Sequence, residues 1–308
     1  MASSEWTSWR PLRLADDVSA GTLAEQLDGG QSFRWTRESD GCWVGVFGRS
    51  LASVRASPQG LEWRAPKGAT HAEAALRHYL DAEGAQARLS EALPWRSDPV
   101  LRSAREAYPG LRILRQDPHE ALIGFLCSSN KRILQIRVMV AALAAKLGEP
   151  LDGDFHALPS WQAIADADDA VLRACSLGYR AAYLRGTAKK LLARPRWAEE
   201  FAALPTAELL NELQSLPGVG PKVAACVALF GFGRLESFPV DTWVVQALSA
   251  AYGLHGWKAA QLEQFGKAHF GDAAGLAQQY LFSAARNGRL ISPAVSVPTK
   301  PVRPRPRK

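Results

Sequence analysis

The stretch Leu213-Gln-Ser-Leu-Pro-Gly-Val-Gly-Pro-Lys-Val-Ala-Ala-Cys226 constrains the fold of this 308-residue chain more than any other. Apolar periodicity predicts one helix over residues 206–215 and another over 221–230. Between them Pro217-Gly218-Val219-Gly220 makes a tight turn. Its glycines let the backbone bend sharply and come close to a partner. Pro221 suits the first helical position, where its missing N–H costs nothing. The second helix then opens with exposed N–H groups, an anion site suited to a phosphate.

This is the helix-hairpin-helix pattern of DNA binders that do not read sequence; the plain alternative is an ordinary helix–helix turn. Lys222 lies one residue into the second helix. A cation there opposes the helix dipole, and together with partial burial this favours the neutral amine. Such an amine is a nucleophile that forms Schiff bases with sugar or carbonyl carbons; the plain alternative is a solvated lysine touching a DNA phosphate. Nineteen residues on, Phe238-Pro-Val-Asp-Thr242 places Asp241 just before a helical run. An Asp there is commonly an N-cap. It can also face a sugar and stabilise growing positive charge or assist proton transfer, and the two roles are compatible.

The hairpin sits in a helix-rich body. Periodicity predicts further helices over 99–108, 118–128, 131–147, 160–165, 168–175, 180–192, 242–251, 259–269 and 273–287, with short Gly- and Pro-containing links that suit a compact bundle. The first third reads instead as strands, over 31–36, 42–47, 51–56 and 61–64, separated by Ser39-Asp40-Gly41, Gly48 and Pro58-Gln59-Gly60, an antiparallel meander. A helix over 71–81 follows, with Thr70 as its N-cap. The fold class is thus α+β and mostly helical: an antiparallel sheet unit, a helical body, and a basic Pro-rich extended tail from 293 to 308.

The net charge is +7, but Lys300, Arg303, Arg305, Arg307 and Lys308 supply five of those charges, leaving +2 for the body. Bulk charge therefore says little about DNA, and the case rests on local chemistry. Cys42, Cys127, Cys175 and Cys226 form no CxxC pair, so neither zinc nor a cysteine-ligated cluster has a signature, and reduced free thiols are expected. No transmembrane run or secretion leader is expected.

With these residues in view, Leu216-Pro-Gly-Val-Gly-Pro-Lys222 and Pro239-Val-Asp241 resemble the helix-hairpin-helix DNA glycosylases. Gly30-Gln-Ser-Phe-Arg-Trp35, Leu114-Arg-Gln-Asp-Pro118, Cys127-Ser-Ser-Asn130, Leu177-Gly-Tyr-Arg180 and Gln278 to Phe282-Ser283 narrow the resemblance to the eukaryotic-type 8-oxoguanine DNA glycosylases, in the family's order from about Leu14 to Arg286. The resemblance implies base excision followed by strand cleavage at the abasic site. Lys222 matches the Schiff-base lysine and Asp241 the catalytic aspartate. The Gly30 carbonyl would accept the N7–H that 8-oxoguanine has and guanine lacks. Gln278 would read the base edge, Phe282 would stack on it and Cys226 would cover its other face; by themselves these would be a surface glutamine and two core residues. Asn130 and Arg180 match residues that hold the orphaned cytosine, and Tyr179 the wedge that fills the gap. Gly218, Val219, Gly220 and Trp243 would contact the backbone.

Two positions depart from the family: Trp243 stands where a histidine is usual near the phosphate, and Gln135 where many members carry a second cytosine-reading arginine. The first changes phosphate contacts or stacking. The second puts strict discrimination for cytosine in question, because Lys131 and Arg132 can compensate in charge but not in bidentate geometry.

Rival readings are a glycosylase for another damaged base and a non-catalytic hairpin DNA-binding protein. Adenine and thymine-glycol glycosylases usually carry a four-cysteine cluster after the hairpin, and no cysteine follows Cys226. An alkylbase glycosylase would lack Lys222, and a pure binder would not need Lys222, Asp241, Gln278 and Phe282 together. The expected organisation is a sheet domain over 1–112, a two-lobed all-α helix-hairpin-helix glycosylase domain over 113–292 with the flipped base between its lobes, and the 293–308 tail. The expected partner is double-stranded DNA containing 8-oxoguanine, engaged by a monomer without cofactor or metal, away from any membrane, in a bacterial cytoplasm at the nucleoid or in a eukaryotic nucleus.

Overall fold

A computed structural model describes residues 5–290; the basic tail and its charges lie outside the described residues. The chain runs β1 (Arg10–Pro11), α1 (Ala20–Asp28), β2 (Trp35–Arg37), β3 (Trp43–Phe47), β4 (Ser50–Ser57), β5 (Gly60–Arg64), α2 (Ala72–Tyr79), α3 (Ala85–Ala92) and α4 (Pro99–Ala107). It continues through α5 (Pro118–Ser128), α6 (Ile133–Leu147), α7 (Trp161–Asp166), α8 (Asp169–Ala174), α9 (Arg180–Leu192), α10 (Trp197–Ala202), α11 (Thr206–Gln214) and α12 (Pro221–Phe230). Then come α13 (Thr242–Tyr252), α14 (Ala259–Phe270), a 3-10 turn (Gly271–Ala273) and α15 (Ala274–Arg286).

The five strands form one antiparallel sheet in the order β1-β5-β4-β3-β2. Alternation along each strand sends Trp35, Trp43, Phe47, Val54, Leu61 and Trp63 to one face, where they pack with Leu23 and Leu27 of α1, Leu76 and Tyr79 of α2, and Leu114. Trp35 stacks on Phe47 at 5.8 Å and donates its indole N–H to Tyr79 Oη at 3.2 Å. A second, larger core joins the helices. Residues 93–111, read from sequence with the sheet, contribute Leu93, Val100, Leu101, Ala104, Tyr108 and Leu111 to this helical core. Phe33 reaches into it from the sheet side.

Side-chain caps fix several helix starts: Ser19 accepts from Thr22 N–H, Asp98 from Leu101, Asp117 from His119, Ser160 from Ala163 and Asp241 from Val244. Some expectations need correction. Thr70 does not cap α2: its N–H joins a turn onto Gly68 O, and His71 takes the cap position without a side-chain bond. The strand expected over 31–36 shortens to Trp35–Arg37, because Gln31 turns away to bond the 112–116 segment. α6 starts at Ile133 rather than Lys131, whose N–H closes a turn onto Ser128 O. α1, α3, α10 and the two-residue edge strand β1 were not anticipated. Among the described residues no helix is long and apolar enough to cross a membrane.

Candidate active site

The hairpin is held from inside and from one flank. Leu213, Leu216, Val219 and Val223 are buried in the helical core. From α9, Thr187 Oγ1 donates to Pro217 O at 3.1 Å and Lys190 Nζ to Ser215 O at 2.6 Å. Gly218 adopts φ +80°, and the space above its α-carbon is filled by the Tyr183 ring. Val219 therefore spends its side chain on the core, and the turn offers a partner main chain at the half-buried Gly218 and the exposed Gly220. Gly220 is extended (φ −88°, ψ 179°) with Pro221 at the first helical position, so α12 opens sharply.

That opening places Lys222 half-buried at the mouth of a cavity, its Nζ 5.7 Å from the centroid of the Phe125 ring. One turn further, Cys226 is fully enclosed. Burial pushes its thiol up to about 11, while the positive charge of Lys222 pulls the other way. Asp241 enters from the start of α13, where Oδ1 accepts Val244 N–H at 2.9 Å. Loss of water raises its carboxyl above the ordinary aspartate range, with the Val244 amide and the charge of Lys222 opposing the rise.

The far wall comes from α15 and the turn after α1. Gln278 is 4% exposed, and its Oε1 has no hydrogen-bond partner among the described residues. A buried amide oxygen left unpaired costs about 1–3 kcal/mol, a cost that a bound ligand with a donor would relieve. Phe282, one turn along, is also buried. Gly30 has φ +97°, and a Cβ on it would stand 3.1 Å from Ile133 Cδ1 and 3.9 Å from Phe282 Cζ. Gly30, Lys222, Cys226, Asp241, Gln278 and Phe282 thus line one small cavity, of about 50 Å³, together with Phe125, Phe230, Pro239 and Gln279. These last four were not singled out from sequence. Phe125 and Phe230 stack at 5.3 Å as neighbours on packed helices, a pattern identical in sequence to ordinary core. Larger hollows lie elsewhere on the surface, but their walls carry no lysine–carboxylate pair of this kind.

A second group lies outside the cavity. Tyr179 is 53% and Trp243 41% exposed, and Asn130 is exposed at the end of α5 with φ +54°. Arg180 is turned inward. Its guanidinium lies 4.4 Å from the centroid of the Tyr179 ring and donates to Leu177 O at 3.2 Å, to Ser129 O and to Tyr179 Oη at 3.2 Å. It thereby ties the corner after α5 to the corner before α9. Gln135 is occupied locally, its Oε1 accepting the Arg132 N–H at 3.1 Å.

This arrangement has counterparts among known proteins. Residues 14–122 match the N-terminal domain of 8-oxoguanine DNA glycosylase, and residues 123–268 match the HhH-GPD superfamily of base excision DNA repair proteins. The N-glycosylase/DNA lyase OGG1 of Arabidopsis thaliana is 36% identical over 301 residues, covering 90% of this chain and 80% of the relative. The N-glycosylase/DNA lyase of Saccharomyces cerevisiae is 31% identical over 80% of this chain and 72% of its own. The 8-oxoguanine glycosylase/lyase of Clostridium acetobutylicum, solved with double-stranded DNA containing cytosine opposite 8-oxoguanine, superposes with a TM-score of 0.80 at 30% identity, over 87% of this chain and 92% of that one. The chain belongs to the 8-oxoguanine DNA glycosylase family of the HhH-GPD superfamily.

Proposed function

We infer that the protein is a bifunctional DNA glycosylase and abasic-site lyase that removes 8-oxoguanine from duplex DNA, preferably opposite cytosine, and then cuts the strand. The observation that carries this reading is the cavity itself: a lysine and a carboxylate on one wall face a buried amide, an aromatic ring and a glycine turn on the other. A base turned out of the stack would lie between Phe282 and Cys226 with its Watson–Crick edge toward the unpaired Gln278 Oε1. The Gly30 carbonyl would accept N7–H from 8-oxoguanine and would meet only a lone pair in guanine.

The Lys222 amine attacks C1′ of the extruded nucleotide. The C1′–N9 bond breaks, and its electron pair leaves with the base, which takes up a proton that the lysine nitrogen sheds on bonding C1′. Asp241 stabilises the positive charge that develops on the sugar. Ring opening gives the imine between Lys222 and C1′. Loss of a proton from C2′ then expels the 3′-phosphate by β-elimination, and water releases the lysine. Tyr179 fills the space left in the duplex and Asn130 meets the unpaired cytosine, which Arg180 joins in holding by exchanging its bonds to Leu177 O and Ser129 O for the base. Gly218, Val219 and Gly220, with Trp243, hold the backbone. One chain supplies every one of these groups, which supports action as a monomer; DNA as the substrate fits work at the nucleoid of a bacterium or in a eukaryotic nucleus.

The test is excision from duplexes carrying 8-oxoguanine, with borohydride present in a parallel series to trap the imine. Wild-type protein is expected to release the base and to be trapped on lesion DNA. Lys222→Gln is expected to lose trapping and to lose excision by more than about 10³-fold while still binding the duplex. Full excision by that variant overturns the mechanism.

A further inference from the structure

The turn that carries Gly30 belongs to no helix or strand, yet a carbonyl that tells one hydrogen from a lone pair must stand within the 2.7–3.2 Å window of a hydrogen bond. On its N-terminal side the turn is tied to α15, the helix of Gln278 and Phe282. Buried Glu25 accepts from Arg286 Nη2 at 2.6 Å and from Asn287 Nδ2 at 3.0 Å. On its C-terminal side the anchor is Gln31, which is fully buried. Gln31 Nε2 donates to Arg112 O at 3.0 Å, and its Oε1 accepts Leu114 N–H at 2.9 Å. Gln116 Nε2 closes the clamp by donating to Gln31 O at 2.7 Å.

The pattern is that of a strand neighbour built from side chains. In extended backbone, the C=O of one residue and the N–H two residues on point to the same side. Gln31 meets Arg112 and Leu114 on one side, and Gln86 meets both main-chain groups of Ile113 on the other, at 2.8 Å each. The Gly30 carbonyl lies in the peptide plane whose far end is the Gln31 nitrogen, and that plane is rigid. Pinning Gln31 at its side-chain amide and at its own carbonyl holds its Cα, one corner of that plane, and so narrows the directions in which Gly30 O can point.

We propose that Gln31, held by Gln116, is a positioning residue for damage discrimination: it aims the Gly30 carbonyl at the lesion. This rests on the reading of Gly30 given above. It accounts for two motifs that the chemistry leaves unexplained, Gly30-Gln31 and Leu114-Arg-Gln116, which meet at these bonds.

The test compares two activities of each variant, single-turnover excision of 8-oxoguanine and strand cleavage at a preformed abasic site. The second substrate has no base and does not consult Gly30. Gln116→Ala removes one bond of the clamp. Gln31→Glu keeps the shape but turns a carboxylate oxygen toward Arg112 O. Both are expected to lose excision by about tenfold to a hundredfold while abasic cleavage stays within about threefold. Gln86→Ala frees the same 112–116 segment from its other side without touching the Gly30 peptide, so a merely structural role predicts the same result for it. Its two activities are expected to change together or not at all. The proposal is overturned if the Gln116 variant keeps full excision, if it loses both activities in parallel, or if Gln86→Ala shows the same selective loss. Gln116→Ala decides alone should Gln31→Glu fail to fold. Wild-type protein that cleaves abasic sites but leaves 8-oxoguanine in place sinks the reading of the site, and this inference with it.

Discussion

Tyr183 packs so closely on Gly218 that a Cβ there would come within 2.5 Å of its Cγ. The same ring meets Tyr179 edge-on at 5.7 Å, so the hairpin turn and the exposed Tyr179 share one support on α9. Gly218→Ala is therefore expected to fail twice, through the ring and through φ +80°. The backbone part costs about 1–2 kcal/mol, and the clash adds to it. Affinity for undamaged duplex should fall at least about tenfold. Adding Tyr183→Gly removes every side-chain atom the new carbon would strike, the Cβ at 2.6 Å included, but not the backbone strain, so the double variant should regain part of the binding. Binding equal to wild type in Gly218→Ala would show that the turn does not touch DNA.

Asp241 combines a cap with a carboxylate facing Lys222, and substitution separates the two. Asparagine caps about as well as aspartate, so Asp241→Asn should keep α13 intact. Burial raises the Asp241 carboxyl above its ordinary value of 3.8. A raised folded value means the stability contribution is complete below the unfolded value and lost as pH rises through the folded one. Above the folded value the ionised carboxylate is therefore a cost, and there the asparagine variant should melt no lower than wild type. Excision should nonetheless drop by about 100-fold or more. In wild type the acid limb of the rate profile should fall at a pH above that of an unperturbed aspartate. A variant that loses stability and activity in proportion would reduce Asp241 to a cap.

Of the six residues named from sequence that stand round one cavity, Lys222 and Asp241 are marked by their own chemistry at helix starts, whereas Gly30, Cys226, Gln278 and Phe282 are marked by the family resemblance alone. The sheet was legible from period-2 alternation between Gly- and Pro-rich breaks. What stayed hidden is apolar or local. Phe125 and Phe230 line the cavity but look like core. β1 is two residues long and holds a proline at the sheet edge, so it has no pattern to show. Thr70 matched a cap in type, but a turn already used its backbone. Arg180 was read as reaching toward DNA, whereas its guanidinium is bonded to carbonyls of its own chain.

That inward pose of Arg180 bears on the opposite base. Gln135 spends its oxygen on the cap of α6, so under the proposed reading a bidentate readout falls to the Arg180 guanidinium, once it releases Leu177 O and Ser129 O. A bidentate pair discriminates by about 1–3 kcal/mol, which limits the preference for cytosine to about 5- to 150-fold in excision rates across the four opposite bases. Arg180→Lys should flatten that preference, since a point charge cannot reproduce the fork. A cytosine preference far above this range, or one untouched in Arg180→Lys, would place the readout elsewhere.

Glu120 offers a pH dependence separate from the chemistry. It sits in the first turn of α5, buried, and its Oε1 has no hydrogen-bond partner among the described residues. Burial pushes its carboxyl from the ordinary 4.5 up to about 7, against the pull of the Arg34 charge and the Gly48 amide. The folded value lies above the unfolded one, so the folded protein binds this proton more tightly. The resulting stability is complete below about 4.5 and lost as pH rises through about 7. Above that, the fold carries a buried, incompletely paired carboxylate. Glu120→Gln keeps the shape without the charge. At pH 5 the amide and the protonated acid are near-equivalent, so wild type and variant should melt within about a degree or two of each other. By pH 8.5 the variant should be ahead by of order 1–3 kcal/mol, several degrees in Tm. Other titrating groups cancel in the difference because both proteins carry them. Melting curves whose separation does not change between pH 5 and 8.5 would mean that Glu120 is solvated or paired in the fold, and the buried carboxylate at the head of α5 would no longer explain any loss of stability in alkali.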